Sequence, residues 1–342
     1  MQPHSVLVIG VGSIGERHTR CFQNTGRARV SITEINPTLR QQVASRYSIP
    51  EFPTLEAALQ VPPDVAVVCT PAPFHVPMTR QLVAAGVHVL IEKPLGTSEA
   101  GLPELLAECA ARPVTLGVAY VYRAMPEMQA VRELLQSGEL GAPLQLTVVG
   151  GQHFPTYRPA YREIYYARRE TGGGAIQDAL THLLNLGEWL VGPIRRLVCD
   201  AAHQSLPGVE VEDTVHLLAR HQPPGASQAS LPGSYSINQY QAPNEIAIQV
   251  VCEQGTVRCE VHRNRLMWMT TPGADWTVRE FGPRERDEVY IRQAQQFLDA
   301  VEQRQAPACS LAEGWQTLRC NLAALRSTET ATWQAIDPLH SH

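Results

Sequence analysis

Three short stretches of this chain bring together residue types that carry charge or move protons. Glu92-Lys93-Pro94 places an ammonium just after the apolar run Val87–Ile91. Three glycines, Gly172 to Gly174, lead into an apolar helical stretch that carries Asp178 and, four residues on, His182. On a helix an i, i+4 pair shares one face, so that carboxylate and imidazole can meet one ligand. Imidazole titrates near neutrality and suits a general base, while a lysine can stabilise a developing alkoxide. Taken singly, Lys93 also reads as an ordinary surface lysine, and Asp178 with His182 as a solvated pair. The third stretch is Gly10-Val11-Gly12-Ser13-Ile14-Gly15, a G-x-G-x-x-G between an apolar run and a helical one. Its glycines serve a tight turn, a close approach to pyrophosphate and tight helix packing, and the helix start offers N–H groups to phosphates. Glu34 follows at about the 20-residue spacing expected of a ribose-binding carboxylate. It favours NAD over NADP, because a carboxylate there repels a 2′-phosphate. Ile35 and Asn36 come next, and the nearest arginine, Arg40, lies a helical turn away.

The elements that must hold these groups alternate up to about residue 120. Val6–Ile9, Val30–Thr33, Val65–Cys69, Val87–Ile91 and Val114–Val118 read as strands buried on both faces. Helical stretches separate them: about 14–24, 37–47 with Asn36-Pro37 as cap and first residue, 74–85, and 98–111. Such alternation implies right-handed crossovers and a doubly wound parallel sheet. Beyond Tyr122 the texture changes. A helix over about 126–136 precedes strand-like runs at Leu144–Val149, Arg196–Ala202, Thr214–Ala219, Glu245–Cys252 and Thr256–Val261, with Gly255 in a hairpin turn. Strands joined without intervening helices suggest a mainly antiparallel sheet. One helix, Ala175–Leu190, interrupts them, and two more, about 289–302 and 311–326, follow. The reading is α/β: a Rossmann domain over 1–122, then an α+β substrate and oligomerisation domain over 123–342. The C-terminal helices of the second part are able to pack back on the first.

The 342 residues suit two domains. A net charge of -5 argues against nucleic acid as the main partner. The N-terminus has no positive n-region, and no apolar run reaches the ~18 residues of a membrane span. Eight scattered cysteines, without zinc spacing, read as reduced thiols of a cytoplasmic protein and argue against a metal.

Five of these features, in order, resemble the glucose–fructose oxidoreductase / inositol dehydrogenase / MocA family. They are the glycine turn, Thr70-Pro71 with His75, Glu92-Lys93-Pro94, the glycine-led Asp178…His182, and the closing segment Pro307–Ser327. The resemblance implies a Rossmann domain and an open, mainly antiparallel sheet through which such chains form homodimers or homotetramers. It implies catalytic roles for Lys93, Asp178 and His182. By similarity Gly10, Gly12, Ser13, Ile14, Gly15, Glu34, Thr70, Pro71, His75, Glu92 and Lys93 meet the dinucleotide. Asn185 departs from the aspartate that many members carry three residues past the histidine.

The stretch His153–Thr171 shows neither strand nor helix period and is too long for an idle connector. It carries Tyr157, Tyr161, Tyr165 and Tyr166 and the arginines 158, 162, 168 and 169. Forked donors and flat rings suit a polar, anionic sugar, although they serve equally to pack a sheet or a neighbouring subunit. Lys93, Tyr120, Arg158, Arg162, Asp178 and His182 form the expected substrate set. The activity expected is NAD(P)-dependent hydride transfer at a secondary hydroxyl or ketone of a sugar, cyclitol or derivative. An NAD-dependent glycosidase of the same fold and a non-catalytic NAD-binding regulator are the alternatives.

Overall fold

The structure is a computed structural model that describes residues 2–228 and 230–339. The chain forms two compact units, Met1–Ala124 with Arg284–Trp315, and Met125–Pro283 with Gln316–His342.

The first unit runs β1 (His4–Ile9), α1 (Ser13–Asn24), β2 (Ala28–Thr33), α2 (Pro37–Tyr47), β3 (Glu51–Phe52), α3 (Leu55–Ala58), β4 (Val65–Val68), α4 (His75–Ala84), β5 (His88–Ile91), α5 (Leu102–Ala110) and β6 (Leu116–Val118). Its strands pair in parallel in the order β3-β2-β1-β4-β5-β6. The order reverses between β1 and β4, the switch point outside which doubly wound sheets bind ligands. Val6, Val8, Val65, Val67 and Val89 are fully buried, which is why these strands read as unbroken apolar runs. Asn36 caps α2 as expected, its side chain accepting from the N–H groups of Thr38 and Leu39. Two details differ from the sequence reading. α5 starts at Leu102 rather than at 98, after Gly101 turns the chain at φ +79. β3 spans only two residues, too few for any period to show.

The second unit holds α6 (Pro126–Gln136), β7 (Pro143–Gly151), α7 (Phe154–Tyr157), several 3₁₀ turns, a π-helical turn at Ile176–Leu180 and α8 (Thr181–Val191). Then come β8 (Ile194–Ala202), β9 (Thr214–His221), β10 (Leu231–Asn238), β11 (Glu245–Cys252), β12 (Gly255–Glu260), β13 (Arg265–Met269) and β14 (Thr277–Glu280). A nine-stranded sheet has the order β14-β13-β12-β11-β7-β10-β9-β8-β15, the last being Gln334–Ala335. All its pairings are antiparallel except β10 with β7, so the sheet is mixed. β10 escaped the sequence reading because Pro232-Gly233 looks like a turn. Gly233 is needed there, since a Cβ would lie 2.8 Å from His221 Nε2.

Between the strands of this sheet and β15 the chain forms α9 (Arg286–Val301) and α10 (Leu311–Thr330). α9 belongs to the first unit. Ala294, Phe297 and Leu298 join Val6, Phe22 and Val30 in its core. Asp287 pairs with Arg17 and Arg20 of α1, and Arg17 lies over the Tyr290 ring at 5.0 Å. The division between the units falls within α10.

Candidate active site

The glycine turn after β1 is built as the motif requires. Gly10 takes φ +82, and at Gly15 a Cβ would sit 1.9 Å from the Gly10 carbonyl oxygen. A Cβ on Gly12, by contrast, meets nothing within 4 Å. The demand for glycine at 10 and 15 is therefore internal, whereas the space beside Gly12 is open to a ligand. No side chain caps α1 at Gly12, which leaves the first-turn N–H groups, Ser13 and Ile14 among them, facing outward. Glu34 ties this turn to the end of β2. Its Oε2 accepts from Val11 N–H and its Oε1 from Asn36 N–H, each at 3.0 Å. A carboxylate has about four acceptor positions, so Glu34 keeps capacity for ribose hydroxyls. Beside it the apolar Ile35 side chain is 87% exposed, a surface suited to an adenine ring.

The segment after β5 is held from two sides by buried histidines. The Glu92 carboxylate, 5% exposed, accepts from His18 of α1 at 2.6 Å and from the Lys93 N–H at 3.0 Å. Burial alone would push the Glu92 carboxyl up, but the His18 hydrogen bond and the charges of His18 and Lys93 hold it below the usual carboxylate range. The Lys93-Pro94 bond is cis. The His75 ring stands between the Pro94 carbonyl (2.9 Å from Nδ1) and the Thr70 carbonyl (2.7 Å from Nε2), and burial pulls its pKa down. These contacts brace the strand ends: His75 joins the segment after β4 to the one after β5, and Glu92 ties the end of β5 to α1. Thr70 gives its carbonyl to His75 and its hydroxyl to Met78 Sδ at 3.6 Å, while Pro71 is exposed. Tyr120, just past β6, is 2% exposed. Lys93 itself is half-buried.

In the second unit the three glycines let the backbone pass closely. A Cβ on Gly173 would lie 2.2 Å from the Tyr166 carbonyl oxygen, and one on Gly174 would lie 2.4 Å from the Glu212 carboxylate. Asp178 sits in the π-helical turn, a feature frequent at functional sites, and His182 follows in the first turn of α8. Asp178 is 1% exposed and His182 half-buried. The Asp178 carboxylate accepts from the Arg158 guanidinium and the Tyr165 hydroxyl. The attraction of Asp178 raises the Arg158 pKa further, against the opposing effect of burial. The structure thus joins one predicted substrate arginine to the predicted catalytic carboxylate.

It does not do so for Arg162. That exposed side chain stacks over the Tyr161 ring at 4.9 Å and donates through Nε to the Pro207 carbonyl at 2.7 Å. The aromatic residues of the loop divide similarly. Tyr161 and Tyr166 pack with Phe154, Leu206, Val209 and Val211 in a small core of their own, and Tyr165 reaches Asp178. Sequence reasoning missed Glu212. Its carboxylate accepts from the Ile176 N–H at 3.0 Å and pairs with Arg169 at 3.1 Å, holding the entry to the π-helical turn. The signal available was the acidic run Glu210, Glu212, Asp213 just before β9. Asn185 is buried, and its amide donates to Thr317 Oγ1 at 3.0 Å. Among the described residues, no group of three or more His, Cys, Asp or Glu could hold a metal ion, and no helix is long and apolar enough to cross a membrane.

A parallel sheet with this glycine turn at its switch point defines the first unit as a dinucleotide-binding domain. Residues 4–120 match the oxidoreductase family with an NAD-binding Rossmann fold, and residues 128–258 match the GFO/IDH/MocA C-terminal domain. The chain belongs to the GFO/IDH/MocA oxidoreductase family. It is 30% identical to an inositol 2-dehydrogenase of Acidothermus cellulolyticus, over 62% of this chain and 61% of that protein. It spans about half the length of other curated relatives, 53% in two cases. Among solved structures, a levoglucosan dehydrogenase in complex with NADH shares the fold at a TM-score of 0.89 with 19% identity, covering 99% of this chain and 100% of that one. The WlbA dehydrogenase from Bordetella pertussis, in complex with NADH and UDP-GlcNAcA, gives 0.82 with 24% identity and 99% coverage of both chains.

Proposed function

We propose that this chain is an NAD-dependent dehydrogenase or reductase acting on a secondary hydroxyl or ketone of a sugar, cyclitol or sugar derivative, and that the substrate is anionic. The observation that carries the reading is the buried Asp178 carboxylate, held by Arg158 and Tyr165 on a glycine-led helix with His182 one turn on. That constellation occurs in a chain whose other unit binds NAD. Relatives named as inositol, levoglucosan and WlbA dehydrogenases support the substrate class.

NAD, which the glycine turn and Glu34 would hold, would supply the hydride acceptor or donor. The protein's own groups handle the proton and the charge. His182 is the general base for the substrate hydroxyl, suited by the pKa range of imidazole. Lys93, just past the end of β5, stabilises alkoxide character on the substrate. Asp178 orients substrate hydroxyls, and Arg158, already paired with it, receives an anionic substituent. Lys93→Met and His182→Ala, each followed by NADH absorbance across a panel of sugars, sugar acids and cyclitols, test the assignment. Each substitution is expected to lower kcat at least a hundredfold with NADH binding retained. Near-normal turnover in both refutes it. Product analysis separates a glycosidase, which releases a leaving group without net NADH, from a regulator, which does neither.

The outward face of the second sheet is a self-association surface in this reading, and the chain a homodimer or homotetramer. Leu218 at 54% and Val149 at 36% exposure support it, and light scattering reads the outcome. A cytoplasmic location is supported by six buried free cysteines, with burial pushing Cys21 up to about 12.

A further inference from the structure

The ribose end of the dinucleotide site carries a charge pair that the glycine turn and Glu34 leave unexplained. Arg40, in the first part of α2, donates through Nη1 to the Glu34 carbonyl oxygen at 2.8 Å. Its Nε lies 3.6 Å from Oε1 of Glu51, the first residue of β3. The Arg40 side chain is 13% exposed and that of Glu51 32%. Arg40 Nε and Glu51 Oε2 are both buried without a hydrogen-bond partner. Such atoms are costly to leave unmet, so the two charges are held near each other by attraction rather than by bonding geometry.

What a 2′-phosphate needs is a forked, uncancelled guanidinium. Residues 35–39 offer no cation, which makes Arg40 the candidate beside Glu34. We propose that Glu51 is a cofactor-specificity determinant: it draws Arg40 toward β3 and cancels its charge, so that NADP is refused both by Glu34 and by a neutralised arginine. Replacing Glu34 alone removes one refusal and leaves the other. This inference stands on NAD binding by the first unit and is independent of the reaction proposed above.

Calorimetric titration of the full chain with NADH and NADPH tests it without any turnover. Wild type is expected to bind NADPH at least a hundredfold more weakly than NADH. Glu34→Ser lowers the NADPH Kd less than tenfold. Glu34→Ser with Glu51→Gln lowers it at least tenfold further, and adding Arg40→Ala reverses that gain. Because Glu34 also braces Val11 and Asn36, the single variant Glu51→Gln provides a reading in an intact turn. It is expected to lower the NADPH Kd threefold or more with NADH affinity unchanged. The proposal is overturned if Glu51→Gln leaves NADPH binding unmoved in both backgrounds, or if the gain survives Arg40→Ala.

Discussion

Acid is expected to destabilise the second unit through one imidazole, that of His221. The ring is fully buried, with Nδ1 2.7 Å from the Gly192 carbonyl oxygen and Nε2 2.9 Å from the Tyr235 hydroxyl. A carbonyl only accepts, so Nδ1 carries the proton and Nε2 accepts from the tyrosine. A second proton on Nε2 would reverse that bond, with the tyrosine oxygen accepting, and would place a charge in a fully buried ring. Burial pulls the pKa from 6.5 to about 4, with the Gly192 bond working the other way. Since the folded value lies below the unfolded one, this contribution is complete above about pH 6.5 and is lost as pH falls toward 4. At about 1.4 kcal/mol per pH unit the whole loss is about 3 kcal/mol, of which about 2 kcal/mol is gone by pH 5. Urea unfolding at pH 7.5 and 5.0, for wild type and for His221→Leu with Tyr235→Phe, isolates this part of the acid loss. The variant is expected to lose about 2 kcal/mol less between the two pH values. Losses that agree within about 0.5 kcal/mol, or an NMR titration of His221 near 6.5, would refute the reasoning.

Three further outcomes follow from contacts already described. Gly15→Ala forces a Cβ against the Gly10 carbonyl, so NADH is expected to stop raising the melting temperature of that variant; a normal rise counts against the turn as the dinucleotide site. His18→Leu strands a buried carboxylate and is expected to cost about 3 kcal/mol in urea unfolding. The double variant with Glu92→Leu is expected to lose less than the single, and strict additivity would show that the pair is not coupled. Arg158→Ala is expected to raise KM more for sugar acids than for neutral sugars, and equal increases would remove the anionic substrate from the proposal.

Sequence disclosed what physical necessity writes in residue type. Val65–Val68 had to be apolar throughout because helices cover both faces of its sheet, and Gly10 and Gly15 could carry no side chain. Spacing also placed Asp178 and His182 together on one short stretch of helix. Long-range chemistry was not legible. Arg158 and Arg162 look alike in sequence, yet one meets Asp178 and the other a turn at Pro207. Glu212 reaches the π-helical turn from a strand entrance far along the chain. The bracing contacts of His75 and Glu92 with the backbone and with α1 were likewise not legible in their motifs. The 153–171 stretch had no period because short 3₁₀ turns wrap a miniature aromatic core there.

The return of α9 to the first unit has a consequence for how the chain comes to fold. Phe297 and Leu298 complete a core begun by Val6 and Phe22, yet all of Met125–Pro283 is synthesised in between. At about 5–20 residues per second, the emerging Rossmann sheet waits roughly ten to thirty seconds on the ribosome for the helix that shields α1. During that interval its apolar flank is open to chaperones, and an N-terminal fragment cut at residue 124 keeps it open permanently.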